Sequence, residues 1–147
     1  MRKKSNNQNE KMMLDVYKNL DMATWSIDLI DDEILNDDFL DLVKKQKKIY
    51  EDHKCKVLKM ADKFDIDLKS INIMAKIGSL TSIKVGTFFD NSNSHIANKL
   101  IQGTSMGIIE LKKALNSYKI LDDEIKEVAN NLYVAESKFF NSLQEFL

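Results

Sequence analysis

The sequence predicts an all-α protein, and three observations carry that expectation. Its 147 residues include no proline and only four glycines, too few for the many tight turns of a β-sandwich or barrel. Apolar residues recur at steps of three and four along most of the chain, which keeps one helix face turned inward. Hydrophobic residues make up 44% and charged residues 31%, a globular balance with enough apolar surface for one core. The expected architecture is a four-helix up-down bundle, two helical hairpins joined by a short additional crossover helix.

The polar start, MRKKSNNQN over residues 1–9, predicts disorder, and residues 10–147 predict a single helical-bundle domain. The first helix is expected over 10–31, with Met13, Val16, Leu20, Ala23, Ile27 and Ile30 as its seam and Trp25 beside it. Asn36 then offers an N-cap, and Asp37 and Asp38 suit the positive end of the next helix dipole. So short a break makes the first two helices antiparallel neighbours. The second helix is expected over 37–63, with Phe39, Leu42, Gln46, Ile49, His53, Val57, Met60 and Phe64 inward. Lys44, Lys45, Lys47 and Lys48 form its solvated face.

A shorter helix is expected over 72–89, with Met74, Ile77, Thr81, Val85 and Phe88 in line. Residues 90–94, DNSNS, form the clearest loop. The helix that follows, over 94–119, carries Ile96, Leu100, Gly103, Gly107, Leu111, Ala114 and Tyr118 on one face. A glycine inside a helix costs about 1 kcal/mol relative to alanine. The Gly103–Gly107 pair therefore predicts close helix packing, with a small apolar ligand cavity as the other reading. Asp122 caps the last helix, whose seam is Ile125, Val128, Leu132, Ala135, Phe139, Leu143 and Phe146.

Charge excludes several functions. Twenty-two basic residues against 23 acidic ones leave a net charge of −1, which gives no field to draw in nucleic acid. Arg2 is the only arginine, although bidentate phosphate and guanine contacts favour that side chain. The single cysteine, Cys55, allows no intrachain disulfide and fits a reducing cytoplasm. No apolar stretch follows the basic start, so no secretory signal is expected. The most apolar run, Ile71 to Phe89, contains Lys76 and Lys84 and reads as a buried helix rather than a membrane span. The expected partners are other proteins or further copies of the chain, with neither nucleic-acid binding nor membrane insertion.

Catalytic chemistry finds no assembled constellation. A carboxylate-bridged di-iron bundle needs two Glu-x-x-His pairs, whereas the only histidines are His53 and His95. His53 and Cys55 lie two apart and diverge around a helix, so they make neither a zinc site nor a dyad. Nucleophile elbows and glycine-rich phosphate loops are absent. No catalytic, cofactor-binding or metal residue is therefore assigned. A candidate polar layer comprises Gln46, His53 and Glu136, with Thr24 as a contributor, and its default role is to fix helix register. Glu136 lies at a seam edge and is expected to stay exposed at the boundary. Burial would raise its pKa and make it the best single candidate for chemistry.

The stretches IANKLIQGTSMGIIELKKALNSY and LDDEIKEVANNLYVAESKFFNSLQEFL follow a front hairpin and the segment MAKIGSLTSI. In this order and seam pattern the chain resembles bacterial ferritin-like four-helix bundles of unassigned function, a group that includes spore-coat-associated proteins. The resemblance implies the bundle shape. Metal-binding members place Glu and His at the centre, where this chain has Gly103, Gly107, Phe139 and Phe140, so no family ligand carries over. The expected function is a non-catalytic, cytoplasmic bundle acting through protein–protein contacts, as a homodimer or with another partner. Alternatives are a bundle holding a metal or small ligand in its polar layer, and a spore- or envelope-associated structural protein.

Overall fold

The computed structural model describes residues 2–68 and 92–147. The expected crossover helix over 72–89 lies outside the described residues. Within them all regular structure is helical: α1 (Arg2–Ile30), α2 (Asp37–Lys63), α3 (Asn93–Ser117) and α4 (Asp123–Leu143), with 3-10 turns at Asp31–Glu33 and Gln144–Phe146. No helix among the described residues is long and apolar enough to cross a membrane.

Helix starts follow the expected capping chemistry. Asn36 Oδ1 accepts from the Phe39 amide at 2.9 Å, and Asp122 Oδ1 from the Glu124 amide at 3.0 Å. Ser92 Oγ does the same for the His95 amide at 3.3 Å. Such bonds satisfy amides that have no partner within the helix.

The first helix does not begin near Glu10. It is helical from Arg2, and its polar residues close another part of the chain. Gln8 Oε1 accepts from the Ile120 amide at 2.8 Å, and Asn9 Oδ1 from the Asp122 amide at 2.9 Å. Both amides belong to the α3–α4 connection. Asn9 is buried by this contact. Polar side chains that looked like a solvated tail are the hydrogen-bonding cover of a turn.

Cross-helix contacts fix the directions. Lys47 pairs with Asp28 and Lys54 with Asp21, so α1 and α2 run antiparallel. Asn19 meets Gly107 while Asp15 meets Tyr118, so α1 and α3 are antiparallel as well. Gln46 meets Ala135 and Lys63 meets Glu124, which sets α2 against α4. The two diagonal pairs, α1 with α4 and α2 with α3, are therefore parallel. It follows that α2 ends and α3 begins at opposite ends of the bundle.

The core follows the expected seams on α1 and α4. Met13, Val16, Leu20, Ile27 and Ile30 are buried, as are Ile125, Val128, Leu132, Phe139 and Leu143. On α2 the inward face is rotated. Val43 and Tyr50 are buried, whereas Leu42 is only half-buried and Ile49 is exposed. Both registers use steps of three and four. The ring of Tyr50 decides between them by packing edge-on against Phe139, with centroids 6.3 Å apart. At the other end Phe39 stacks on Phe146 at 4.5 Å, so the terminal turn closes the core.

Candidate ligand groove with a buried carboxyl

The seam of α3 is filled by Ile96 and Leu100 at one end and by Leu111 and Ala114 at the other. Between them stand Gly103 and Gly107, which present no side chain. A groove of about 940 Å³ opens there between α1 and α3. Its walls include Met22, Ala23 and Ile27 of α1 and Leu100 and Leu111 of α3, and its floor includes Tyr50, Glu136 and Phe139.

The two glycines play different parts. A Cβ built at Gly103 would meet none of the described residues within 4 Å. The close packing expected at Gly103 is not made with any described residue: no side chain among them is directed at it. A Cβ at Gly107 would lie 3.2 Å from Asn19 Nδ2 and 3.3 Å from both Glu136 carboxyl oxygens. Here the missing side chain makes room for a polar cluster, not for an apolar helix face.

That cluster joins three helices. Asn19 Nδ2 donates to the Gly107 carbonyl at 3.1 Å and, more weakly, to Glu136 Oε2 at 3.4 Å. Glu136 is only 2% exposed, contrary to its expected boundary position. The reason is register: between Leu132 and Phe139 the inward position falls on Glu136, and Ala135 is half-buried. Removal from water pushes its carboxyl up to about 8, and the Asn19 hydrogen bond only partly opposes this. The acid is therefore mainly neutral at pH 7. Burial also raises the Tyr50 hydroxyl above its ordinary value, and the nearby Glu136 adds to the effect.

The expected polar layer is brought together in part. Gln46 is buried, with Nε2 at 3.5 Å from the Ala135 carbonyl, and its side chain also reaches the Tyr50 hydroxyl. His53 does not join them. It is half-exposed, with Nδ1 at 2.9 Å from the Ile49 carbonyl of its own helix. It borders a separate outer depression with Asp52, Lys56, Asn131 and Lys138. Rotation of α2 toward Tyr50 carries His53 off the inward face. Thr24 is buried but turns its hydroxyl back to the Leu20 carbonyl at 2.9 Å. The inner layer thus reads Gln46, Tyr50, Glu136 and Asn19.

Asn19 and Tyr50 were missed as site residues. A signal was present for both: Asn19 follows Val16 by three and precedes Ala23 by four, and Tyr50 follows Gln46 by four. The groove mouth carries Lys18, Lys99 and Lys113 with Asp15 and Glu110. Glu110 pairs with Lys113. The Tyr118 hydroxyl donates to Asp15 Oδ2 at 2.8 Å across one end, and burial there takes that hydroxyl up to about 12.

A bundle di-metal centre does not fit these donors. Glu136 is the one buried acid among the described residues, and its neighbours are an amide, a phenol and a peptide carbonyl. No group of three or more His, Cys, Asp or Glu placed to hold a metal occurs among the described residues. Cys55 is exposed.

Fold and site together define an all-α bundle with a carboxyl-floored groove. Comparison with family models, curated proteins and solved structures brought no match.

Proposed function

We propose that this chain is a non-catalytic binding protein, a ferritin-like bundle whose α1–α3 groove receives an elongated apolar guest. One observation carries the reading: among the described residues, the central seam of α3 borders open space at Gly103 and has a buried acid on its floor. Apolar walls with a few converging polar groups are the usual build of a small-molecule site. The ferritin-like part rests on the helix directions, with two antiparallel hairpins and parallel diagonals.

Size narrows the guest. From Asp15 to Ile30 the groove follows α1 for about 22 Å at 1.5 Å per residue. A space of 940 Å³ spread along that length is long and narrow, a shape that suits an extended chain or a flat ring system.

The test is binding of a neutral lipophilic dye, Nile red, to wild type and Gly103→Leu. The added side chain should narrow the slot at its centre and weaken binding while helical circular dichroism is retained. Unchanged binding by Gly103→Leu would refute the assignment. A second reading, contact with a protein partner or a second copy, draws support from Met106 and Ile109, exposed by 68% and 49% on α3. Light scattering of wild type and a Met106→Lys, Ile109→Lys double variant tests it, and a wild type monomeric at high concentration refutes self-association.

A further inference from the structure

The walls of the groove are apolar, but its floor holds a carboxyl with an unusual set of neighbours. Asn19 faces Glu136 from α1, Tyr50 from α2 and the Gly107 backbone from α3. None of these is a cation. Among the described residues, the perturbation of Glu136 comes from desolvation, partly opposed by the Asn19 hydrogen bond, and no positive side chain contributes. The lysines that border the groove are at its mouth, where acids accompany them.

A buried carboxylate needs a countercharge. Here the described residues supply none, so the acid holds a proton instead. The Asn19 amide is already committed to the Gly107 carbonyl and to one carboxyl oxygen. What remains at the floor is carboxyl surface in contact with the cavity. Gly107 keeps that surface uncovered, since a Cβ would stand 3.3 Å from both oxygens.

We infer that the guest is a lipophilic amine whose ammonium group is taken by the Glu136 carboxylate in exchange for a proton. This assignment rests on the groove being a binding site. The Glu136 O–H bond breaks, its proton leaves to solvent, and the ammonium of the guest replaces it as the positive partner. Charge is conserved inside the bundle: a neutral acid becomes a neutral ion pair. The alkyl or aromatic part of the guest lies between α1 and α3. A carboxylate-headed amphiphile of the same length is disfavoured, because its charge would meet an acid and no base at the floor.

The exchange sets the pH dependence. With the acid titrating at about 8, apparent affinity for an ammonium ligand rises close to tenfold from pH 6 to 7 and levels off above about pH 8.

The experiment is calorimetry with three probes of equal chain length: octylamine, 1-octanol and octanoate. It is run at pH 6, 7 and 8 in buffers of different ionisation heat, on wild type and Glu136→Gln. Octylamine should bind at least tenfold more tightly than octanol at pH 7, with release of nearly one proton. Octanoate should bind more weakly than octanol. Glu136→Gln should lose the preference for amine over octanol, read as the ratio of the two affinities within the same protein, together with the proton release. Equal binding of amine and alcohol, unaffected by Glu136→Gln, would overturn the amine assignment and leave the groove reading standing. Failure of all three probes to bind folded wild type would overturn both.

Discussion

Substitution of Glu136 by glutamine should change how stability depends on pH, and the sign follows from linkage. In the unfolded chain this glutamate titrates near its ordinary 4.5, and in the folded chain at about 8. Between those values the folded state binds the extra proton, so stability falls as pH rises. The favourable contribution is complete below about pH 4.5 and is lost by about pH 8. At about 1.4 kcal/mol per pKa unit the full difference is about 5 kcal/mol, and the part between pH 5 and 7 is about 3 kcal/mol. That is large against a net stability of about 5–15 kcal/mol for a domain. Glutamine keeps the shape and can still accept from Asn19, but it has no proton to lose. Urea unfolding at pH 5, 6, 7 and 8 should show a wild-type slope of about 1 kcal/mol per pH unit that is absent from Glu136→Gln. Parallel pH profiles for the two proteins would refute the burial argument. Saturating octylamine should flatten the wild-type profile, because the bound cation takes over from the missing proton.

The two glycines should respond in opposite ways. Gly103→Ala gains about 1 kcal/mol of helix propensity at no steric cost and should raise Tm by several degrees; Gly107→Ala crowds Asn19 and Glu136 at 3.2–3.3 Å and should show no gain or a loss in the same melting experiment. Asn9→Ala removes the acceptor for the Asp122 amide and should cost about 1–3 kcal/mol by urea unfolding, whereas a disordered start would make it silent. Phe39→Ala, which deletes a fully buried ring stacked on Phe146, should cost about 3–5 kcal/mol, and a loss under 1 kcal/mol would contradict the closing role of the terminal turn.

Helices were legible because their physical signals are local. Asn36 and Asp122 sit where caps belong, and the α1 and α4 seams repeat with few alternatives. The face of α2 was not legible in the same way. Phe39–Leu42–Gln46–Ile49 and Phe39–Val43–Gln46–Tyr50 are equally good helical stripes, and only the ring of Phe139 across the bundle selects the second. That choice put Tyr50 inside and left His53 at the surface. The early start of α1 was hidden for a related reason. Gln8 and Asn9 look like solvent-facing polar residues until the α3–α4 connection, more than a hundred residues later in the chain, supplies two amides.

Glu136 shows where residue-type averages mislead. Glutamates are seldom buried without a partner, and that rule placed it at the boundary. Its burial depends on Gly107 and Asn19, two residues on other helices whose spacing to Glu136 in sequence carries no information. Gly103 carried the opposite ambiguity. A glycine in a helix seam is compatible with close packing or with a space, and only the absence of a nearby atom among the described residues separates them.

Titration of the Glu136 side-chain carboxyl by carbon-13 NMR, with and without octylamine, tests the buried-acid groove most directly. A midpoint near pH 8 in the free protein, moving to lower pH when the amine is bound, is the expected result. A midpoint in the ordinary range of about 4–5, unmoved by amine, would contradict both the desolvated floor and the exchange built on it.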